Sequence, residues 1–217
     1  MKQVGFLFDL DGVIVDTAKY HYLDWKDLAE ELSIPFTQED NERLKGVSRV
    51  RSFEIILELG NRTMSEEEKN SYCTKKNDVY LSYNDRLRSD EVRPGAGEFL
   101  AAARAAGIPI ALGSASKNAP RILDKLELTH LFDAIMDGTV VSTAKPDPEV
   151  FTKGAEALNL PYESCVVFED SEAGIEAAHR GGMKAVGVGR KEDLPEADTW
   201  ISVFAGLTPD DILAMLA

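Results

Sequence analysis

From residue 93 onward, short apolar runs alternate with stretches rich in Ala, Glu and Leu. The runs are IPIALGS (108–114), a weaker AIMDG (134–138), SCVVFED (164–170) and MKAVGVG (183–189). Nearly continuous apolar runs predict strands that are buried on both faces, and the intervening stretches predict the helices that cover them. The pattern therefore predicts an α/β fold, with a parallel Rossmann-like sheet that carries helices on both faces.

A further apolar run, Val4–Phe8, lies near the start of the chain, and a long segment without any strand pattern follows it. That segment shows only helical periodicity and helix caps, such as the capping-box pattern at Thr37–Asp40. We therefore expect two domains. Residues 1–16 and 89–217 would form the α/β core, and residues 17–88 would form a helical cap domain inserted after the first strand.

Composition excludes several classes of partner. The net charge of −14 argues against nucleic acid and anionic membranes. No apolar run approaches the roughly 20 residues that cross a membrane, and no signal-peptide pattern precedes Asp9. The only cysteines, Cys73 and Cys165, are far apart in the sequence. We expect a cytoplasmic protein with reduced thiols that acts on a small molecule as a monomer.

Polar residues follow the predicted strands at their carboxyl ends, where an open parallel sheet collects its ligands. They are Asp9, Asp11, Ser114, Ser116, Glu169 and Asp170, and Lys145 lies on a connection that could face the same edge. A single Asp-x-Asp-Gly sequence would also fit an Asx turn at the end of a strand. An EF-hand is excluded, because its remaining ligands would fall on Val13 and Tyr20. Together, these residues predict a reactive site at this edge of the sheet.

Four motifs resemble, in the same order, those of the haloacid dehalogenase superfamily of phosphotransferases. They are FDLDGVIVDT, GSASKN, KPDP and FEDSEAGIEAA. The insert follows the first motif, where one subclass of the superfamily carries a helical cap. Within it, HYLDWKDLAEE, LKGVSRVRS and KKNDVYLSY resemble the sugar-phosphate mutases of the superfamily. The resemblance covers nearly the whole chain up to about Arg190.

The resemblance implies catalysis through an aspartyl-phosphate. Asp9 would be the nucleophile, and Asp11 would be the general acid and base. Ser114 and Lys145 would hold the transferring phosphoryl group. A Mg²⁺ ion would reduce the repulsion between the attacking carboxylate and the phosphate, and hard oxygen ligands suit it. The implied ligands are Asp9, the backbone carbonyl of Asp11, and Asp170 with Glu169 nearby.

Two residues on the first cap helix lie one turn apart, directly after the Asp11 loop. The resemblance implies that Thr17 and His21 position Asp11 as the cap closes. His21 would also fit a semi-buried histidine that packs beside Trp25 without a catalytic role. Trp25 itself fits packing better than contact with the substrate.

A second anion site is predicted opposite the first. The sequence KGVSRVRS offers a guanidinium that matches a phosphate bidentately and a glycine that lets the backbone approach a ligand. SASKN is predicted to open a helix whose first N–H groups bind an anion. The candidate substrate-binding residues are Trp25, Lys45, Gly46, Val47, Ser48, Arg49, Ser52, Lys76, Ser116, Lys117 and Asn118. Alternatively, the charged residues of KGVSRVRS would be solvated in a connection between two helices. Lys76 would then extend from a core-facing position to solvent instead of binding the substrate.

Two phosphate sites favour a mutase that converts β-glucose 1-phosphate to glucose 6-phosphate, with β-glucose 1,6-bisphosphate as primer and intermediate. A Mg²⁺-dependent sugar-phosphate phosphatase on the same scaffold is the leading alternative, since it needs only one phosphate site and a water. A hydrolase that forms an imine with a cap lysine and a non-catalytic sugar-phosphate sensor are more remote alternatives. The sequence leaves the preferred hexose phosphate open.

Overall fold

A computed structural model of the protein describes residues 3–16, 18–84 and 87–217. Its strands are β1 (Gly5–Phe8), β2 (Ile110–Gly113), β3 (Ala134–Met136), β4 (Cys165–Glu169), β5 (Lys184–Val188) and β6 (Thr199–Ile201). They form one sheet in the order β3-β2-β1-β4-β5-β6, and every neighbouring pair is parallel. The predicted parallel α/β architecture is confirmed.

The register of the three central strands brings their carboxyl ends together. Phe8 at the end of β1 pairs with Leu112 of β2 and with Phe168 of β4. The backbone N–H of Asp9 then donates to the carbonyl of Phe168 at 3.0 Å. The residues that follow β1, β2 and β4 therefore leave the sheet at one edge, which is the edge expected for ligand binding.

In the part of the core that the structure describes, five helices cover the two faces of the sheet. Numbered after the four helices of the insert, they are α5 (Ala96–Ala105), α6 (Ala119–Lys125), α7 (Glu149–Ala157), α8 (Glu172–Arg180) and α9 (Pro209–Met215). Alternation along β1 divides the core: Phe6 and Phe8 pack with Phe99 of α5, whereas Leu7 packs with Phe151 of α7. Both faces of β1 are therefore buried, which explains why this strand is apolar throughout.

Within its described residues the insert forms helices joined by loops, and no strand. It contains α1 (Ala18–Glu31), α2 (Gln38–Glu42), α3 (Arg49–Leu59) and α4 (Glu66–Asn84). The capping box predicted at Thr37–Asp40 is present at the start of α2. A separate hydrophobic cluster lies wholly inside the insert, and in it the rings of Trp25 and Phe53 stack at 6.5 Å. In the described ranges no helix is both long enough and apolar enough to cross a membrane.

The end of the chain contains more structure than the sequence pattern indicated. The pattern of apolar runs predicts no strand after Arg190, but β6 forms there. Helix α9 follows β6, and Thr208 is its N-cap residue. β6 has three residues, which is too short for a periodic pattern to be distinguished from a loop. It pairs with β5 and extends the sheet by one strand at the edge away from β3.

Candidate active site

A cleft of about 480 Å³ lies between the helical insert and the carboxyl edge of the sheet. Every site residue predicted from the sequence lines this cleft except Thr17, Lys145 and Glu169. Thr17 lies outside the described residues, so its predicted role stays a prediction. Lys145 and Glu169 are almost fully buried, at 3% and 1% exposure, directly behind Asp9.

Asp9 is held by a buried lysine. The ammonium of Lys145 donates to Asp9 Oδ1 at 2.6 Å and also to the carboxylate of Glu169. Burial alone would lower the pKa of Lys145, but Asp9 and Glu169 raise it above its ordinary value. Burial raises the pKa of Asp9, and Lys145 acts against that rise. The ammonium is therefore the local charge that favours an ionised Asp9, as a nucleophile requires.

Glu169 is bonded on both of its carboxylate oxygens. While one oxygen accepts from Lys145, the other accepts from the N–H of Asp170 at 2.9 Å and from the N–H and hydroxyl of Ser171 at 3.0 and 2.8 Å. A Cβ on Gly174 would overlap this carboxylate, so the glycine makes room for it. Direct metal binding by Glu169 stays a prediction, and it would require one of these bonds to be exchanged.

The oxygen atoms beside Asp9 fit a hard divalent cation. Burial raises the pKa of Asp170 to about 7, although Lys45, whose Nζ lies 3.5 Å from Asp170 Oδ2, lowers it. Gly12, at φ 86°, lets the Asp11 loop pass so close that a Cβ would overlap the Asp170 carboxylate. Among the described residues, no three His, Cys, Asp or Glu side chains form a metal site by themselves. Coordination of a cation by the backbone carbonyl of Asp11 stays a prediction.

Asp11 is contacted by side chains from the insert. Its Oδ1 accepts from the hydroxyl of Tyr80 at 3.2 Å and lies 3.5 Å from His21 Nε2. Burial, followed by the charge of Lys76, lowers the pKa of His21, which favours a neutral imidazole. Tyr80 did not emerge from the sequence as a site residue, because one tyrosine on an aromatic helix face has no distinguishing pattern. These contacts join Asp11 to the insert, and a role of the insert in orienting it stays a prediction.

A second polar cluster lies across the cleft from Asp9. Arg49 is the first residue of α3, after the helix cap Ser48, and its Nη2 donates to Asn77 Oδ1 at 2.7 Å. The same oxygen accepts from Asn118 Nδ2 of the core at 3.0 Å. Asn77 was missed from the sequence because it is one polar residue on a mostly polar helix. The guanidinium and the Asn118 amide are therefore held together across the boundary between insert and core.

The segment 114–118 is a loop that leads directly into α6. Asn118 is the N-cap residue of this helix, which begins at Ala119, and anion binding by its first N–H groups stays a prediction. The N–H of Ser116 donates to Ser114 Oγ at 3.1 Å, and the N–H of Asn118 donates to Ser116 Oγ at 3.2 Å. Serine hydroxyls compete with the helix for these backbone groups and delay its start. The side chains still face the cleft.

The remaining insert residues show both contact and packing roles. Gly46, at φ 71°, approaches the core so closely that a Cβ would lie 2.7 Å from Ser171 Oγ. Ser52 Oγ donates to the carbonyl of Leu44 at 3.4 Å. Trp25 lines the cleft, but at 3% exposure it belongs mainly to the hydrophobic core of the insert. Most of the Trp25 surface therefore packs inside the insert, as the packing alternative expects.

Known proteins are similar to this chain in sequence and in fold. Residues 4–182 match the family model described as haloacid dehalogenase-like hydrolase. The β-phosphoglucomutase of Bacillus subtilis is 42% identical over 210 residues, which cover 96% of this chain and 92% of that protein. A phosphorylated carbohydrates phosphatase of Thermotoga maritima is 30% identical over 214 residues, which cover 97% of this chain and 96% of that protein.

A solved structure agrees with these sequence matches. The crystal structure of a β-phosphoglucomutase from Clostridium difficile matches with a TM-score of 0.93 at 39% identity, covering 99% of this chain and 97% of that one. The matched family segment contains Asp9, Asp11, Ser114, Lys145 and Asp170, which the fold gathers at one edge of the sheet. The chain therefore belongs to the haloacid dehalogenase-like hydrolase family.

Proposed function

We propose that the protein interconverts β-D-glucose 1-phosphate and D-glucose 6-phosphate. The observation that carries this proposal is a single cleft with a candidate phosphate site at each end. Asp9, Ser114 and Lys145 lie at one end, and Arg49 and Asn118 lie at the other. A sugar bisphosphate needs both ends at once. The similarity to β-phosphoglucomutases in sequence and in fold supports the same activity here.

The proposed organisation has two domains that close on the substrate. Residues 1–16 and 89–217 would form the phosphotransferase core, and residues 17–88 would form the cap. The separate hydrophobic cluster of the insert supports this division. Contacts across the boundary, such as the Lys45 to Asp170 ion pair, support closure over the core. A closed cleft would keep water away from a phosphorylated aspartate, which a mutase requires and a phosphatase does not.

Asp9 is the proposed nucleophile. Its carboxylate oxygen forms a bond to the phosphorus of the bisphosphate primer, and the bond from phosphorus to the sugar oxygen breaks. Lys145 stays protonated beside Asp9 and balances the added negative charge. Ser114 directly follows β2 and is 1% exposed, and its hydroxyl would hold a phosphoryl oxygen.

A divalent cation completes the proposed site. Asp9, the backbone carbonyl of Asp11 and Asp170 would hold Mg²⁺, with Glu169 nearby. Bound Mg²⁺ supplies positive charge that stabilises the transferring phosphoryl group and lowers its repulsion from the carboxylate. Burial raises the pKa of Asp170 to about 7, and a bound cation would favour its ionised form. Lys45 supplies positive charge beside it from the cap.

Asp11 is the proposed general acid and base. Protonated Asp11 gives its proton to the sugar oxygen that leaves phosphorus during formation of the aspartyl-phosphate. In the other direction, ionised Asp11 takes the proton of the attacking sugar hydroxyl as the phosphoryl group leaves Asp9. Tyr80 and His21 hold the carboxyl group in place for both steps.

The two half reactions differ in which end of the sugar faces Asp9. The 6-hydroxyl of β-glucose 1-phosphate first attacks the aspartyl-phosphate, which gives β-glucose 1,6-bisphosphate and free Asp9. The bisphosphate then turns round, and its 1-phosphoryl group passes to Asp9 while glucose 6-phosphate leaves. Arg49 and Asn118 would grip whichever phosphate is not reacting.

A sugar-phosphate phosphatase is the second candidate. The 30% identity to the Thermotoga maritima phosphatase over nearly the whole chain favours it. Both enzymes would use the same aspartyl-phosphate, and they would differ only in whether a sugar hydroxyl or a water attacks it. The second phosphate site and the cap contacts therefore favour the mutase.

One experiment separates the two candidates. Glucose 6-phosphate formation from β-glucose 1-phosphate is measured with the bisphosphate primer and Mg²⁺, in parallel with release of free phosphate. We expect glucose 6-phosphate to form much faster than free phosphate. Phosphate release from glucose 6-phosphate without isomerisation would identify a phosphatase, and no Mg²⁺-dependent turnover of either kind would indicate a sensor.

A further inference from the structure

A buried carboxyl group behind the proposed general acid has no evident structural purpose. Asp24 on α1 is 4% exposed, and neither of its oxygens accepts a hydrogen bond from the residues that the structure describes. Burying a carboxylate without hydrogen bonds is destabilising, so a residue that only filled this space would be apolar. Its contact of opposite charge is Lys76, whose Nζ lies 3.6 Å from Asp24 Oδ2.

Lys76 is equally buried, at 4% exposure, and it leads back to the cleft. Its Nζ lies over the rings of Trp25 and Tyr80, at 5.0 and 4.6 Å from their centroids. The same nitrogen lies 2.9 Å from His21 Nδ1. An ammonium has only donors, so a charged Lys76 makes Nδ1 the acceptor and places the hydrogen of a neutral His21 on Nε2. That nitrogen faces Asp11 Oδ1 at 3.5 Å.

The charges around Lys76 explain why it needs a partner. Burial lowers the pKa of Lys76 to about 8, Asp24 raises it, Arg49 on α3 lowers it and Asp11 raises it. Burial also raises the pKa of Asp24 to about 6, and Lys76 opposes that rise. Near neutral pH the pair therefore holds one negative and one positive charge, with the negative charge farther from the cleft.

We propose that Asp24 is a positioning residue that keeps Lys76 charged and thereby fixes His21 in the tautomer that donates to Asp11. The inference rests on the proposed function, in which Asp11 gives and takes the proton. No proton travels along the chain of contacts: Asp24 stays ionised, Lys76 stays protonated and His21 stays neutral, while Asp11 alone changes its protonation state. A carboxyl group inside the cap would in this way set the orientation of the group that performs acid and base catalysis.

The first test compares two reactions of the same aspartate. Asp24→Asn removes the charge and keeps the shape. We expect it to lower kcat for β-glucose 1-phosphate by about 10-fold or more, a part of what a general acid contributes. Phosphorylation of Asp9 by acetyl phosphate should keep its wild-type rate, because that good leaving group needs little help from an acid. Asp24→Glu should recover part of the lost turnover, and Glu30→Gln, at an exposed position on the same helix, should have no effect.

The second test observes the tautomer itself. The protein has three histidines, so ¹⁵N-histidine NMR spectra are simple, and His21→Gln assigns the signal. We expect wild-type His21 to be protonated on Nε2, and Asp24→Asn to shift it towards a mixture of both tautomers. If the tautomer is unchanged in Asp24→Asn, the inference is wrong. Equal losses in the mutase and acetyl phosphate reactions would also overturn it, because they would indicate a structural role.

Failure of the inference and failure of the proposed function give different results. If wild type releases phosphate but makes no glucose 6-phosphate, the mutase proposal is wrong, whereas a tautomer change in Asp24→Asn would still support the contacts. A double variant adds a further check. Asp24→Asn should cost little more turnover once Lys76→Met is present, because residues that act through one another are not additive. Additive losses would mean that Asp24 does not act through Lys76.

Discussion

Two aspartates separated by a single residue have different surroundings. Asp9 is 6% exposed, and Lys145 donates to it at 2.6 Å, so a fixed positive charge accompanies it. Asp11 instead accepts from Tyr80 and lies near neutral His21, both of which come from the insert. A carboxyl group beside a permanent ammonium is suited to nucleophilic attack, whereas one that contacts a hydroxyl and an imidazole can exchange a proton.

The first prediction concerns Asp9→Asn, which removes the nucleophilic oxygen but keeps the shape of the side chain. We expect loss of all phosphoryl transfer, with the fold unchanged, because Lys145 retains its bond to Glu169. Phosphorylation by acetyl phosphate is measured by intact-protein mass spectrometry, and the fold is checked by circular dichroism. Asp210→Asn, at an exposed position far along the chain, is the control. Turnover in pure Asp9→Asn would rule out the covalent mechanism.

The second prediction concerns Asp11→Ala. Turnover of sugar phosphates should fall by about 10² to 10⁴, the usual contribution of a general acid and base. Slow phosphorylation by acetyl phosphate should persist, because Asp9 and Lys145 remain in place. The rates of both reactions are compared with those of Asp9→Asn. If the two variants lose the acetyl phosphate reaction to the same extent, Asp11 and Asp9 do not have the separate roles assigned to them.

At the scale of elements, the cleft depends on how α3 and α4 of the insert meet the core loop before α6. The Asn77 carbonyl oxygen accepts from Arg49 on one side and from Asn118 on the other, at 2.7 and 3.0 Å. Burial lowers the pKa of Arg49, yet guanidinium remains charged throughout the useful pH range. These contacts connect the insert to the core at the end of the cleft opposite Asp9.

Arg49→Ala tests that connection. We expect a loss of ~1.5–3 kcal/mol of charge-assisted bonding, which is about one to two orders of magnitude in mutase efficiency. A larger share of the aspartyl-phosphate should also go to water, because the cap is held less firmly. The measurement is the ratio of free phosphate to glucose 6-phosphate at saturating primer. An unchanged ratio with an unchanged rate would place Arg49 outside the site and favour the phosphatase.

Asn77→Ala tests the same connection but leaves Arg49 in place. The guanidinium would remain but would lose the amide that joins it to Asn118, so the ratio should move in the same direction by a smaller amount. Ser71→Ala, an exposed change on the same helix, is the matched control. A larger effect in Asn77→Ala than in Arg49→Ala would contradict the assignment of Arg49 as the phosphate ligand.

For the molecule as a whole, the buried carboxylates link stability to pH and to Mg²⁺. The pKa of Asp170 is raised to about 7, above its value of about 3.9 in an unfolded chain. The folded state therefore binds the proton more tightly than the unfolded state. The protonated Asp170 carboxyl group therefore adds to the stability of the folded state at low pH. This contribution is lost as pH rises from about 4 to about 7.

Mg²⁺ should reverse this loss, because the ion binds the ionised carboxylates and competes with protons. We expect added Mg²⁺ to raise the melting temperature more at about pH 8 than at about pH 5. Thermal unfolding is followed with and without Mg²⁺ at both values of pH. Asp170→Asn should abolish the difference, whereas Asp210→Asn should retain it. An equal rise at both values of pH in wild type would show that the ion binds elsewhere.

The sequence alone determined the architecture and the reacting edge. Parallel strands that are buried on both faces must be apolar along their whole length, so β1, β2, β4 and β5 were visible as runs. Residues that follow such strands necessarily leave at the same edge, so the order of the chain is enough to predict that Asp9, Ser114 and Asp170 lie together. The helical insert was visible in the same way, since the strand pattern is absent from residues 17–88.

Tertiary structure alone decided how the side chains that support that edge are paired. His21 and Lys76 are 55 residues apart, Asp11 and Tyr80 are 69 apart, and Asn77 and Asn118 are 41 apart. Each of these contacts joins separate elements, so no local spacing predicts it. The partner of Asp24 likewise depends on the packing of α1 against α4. Local patterns report which face of an element is buried, whereas the identity of a distant neighbour depends on how the elements pack together.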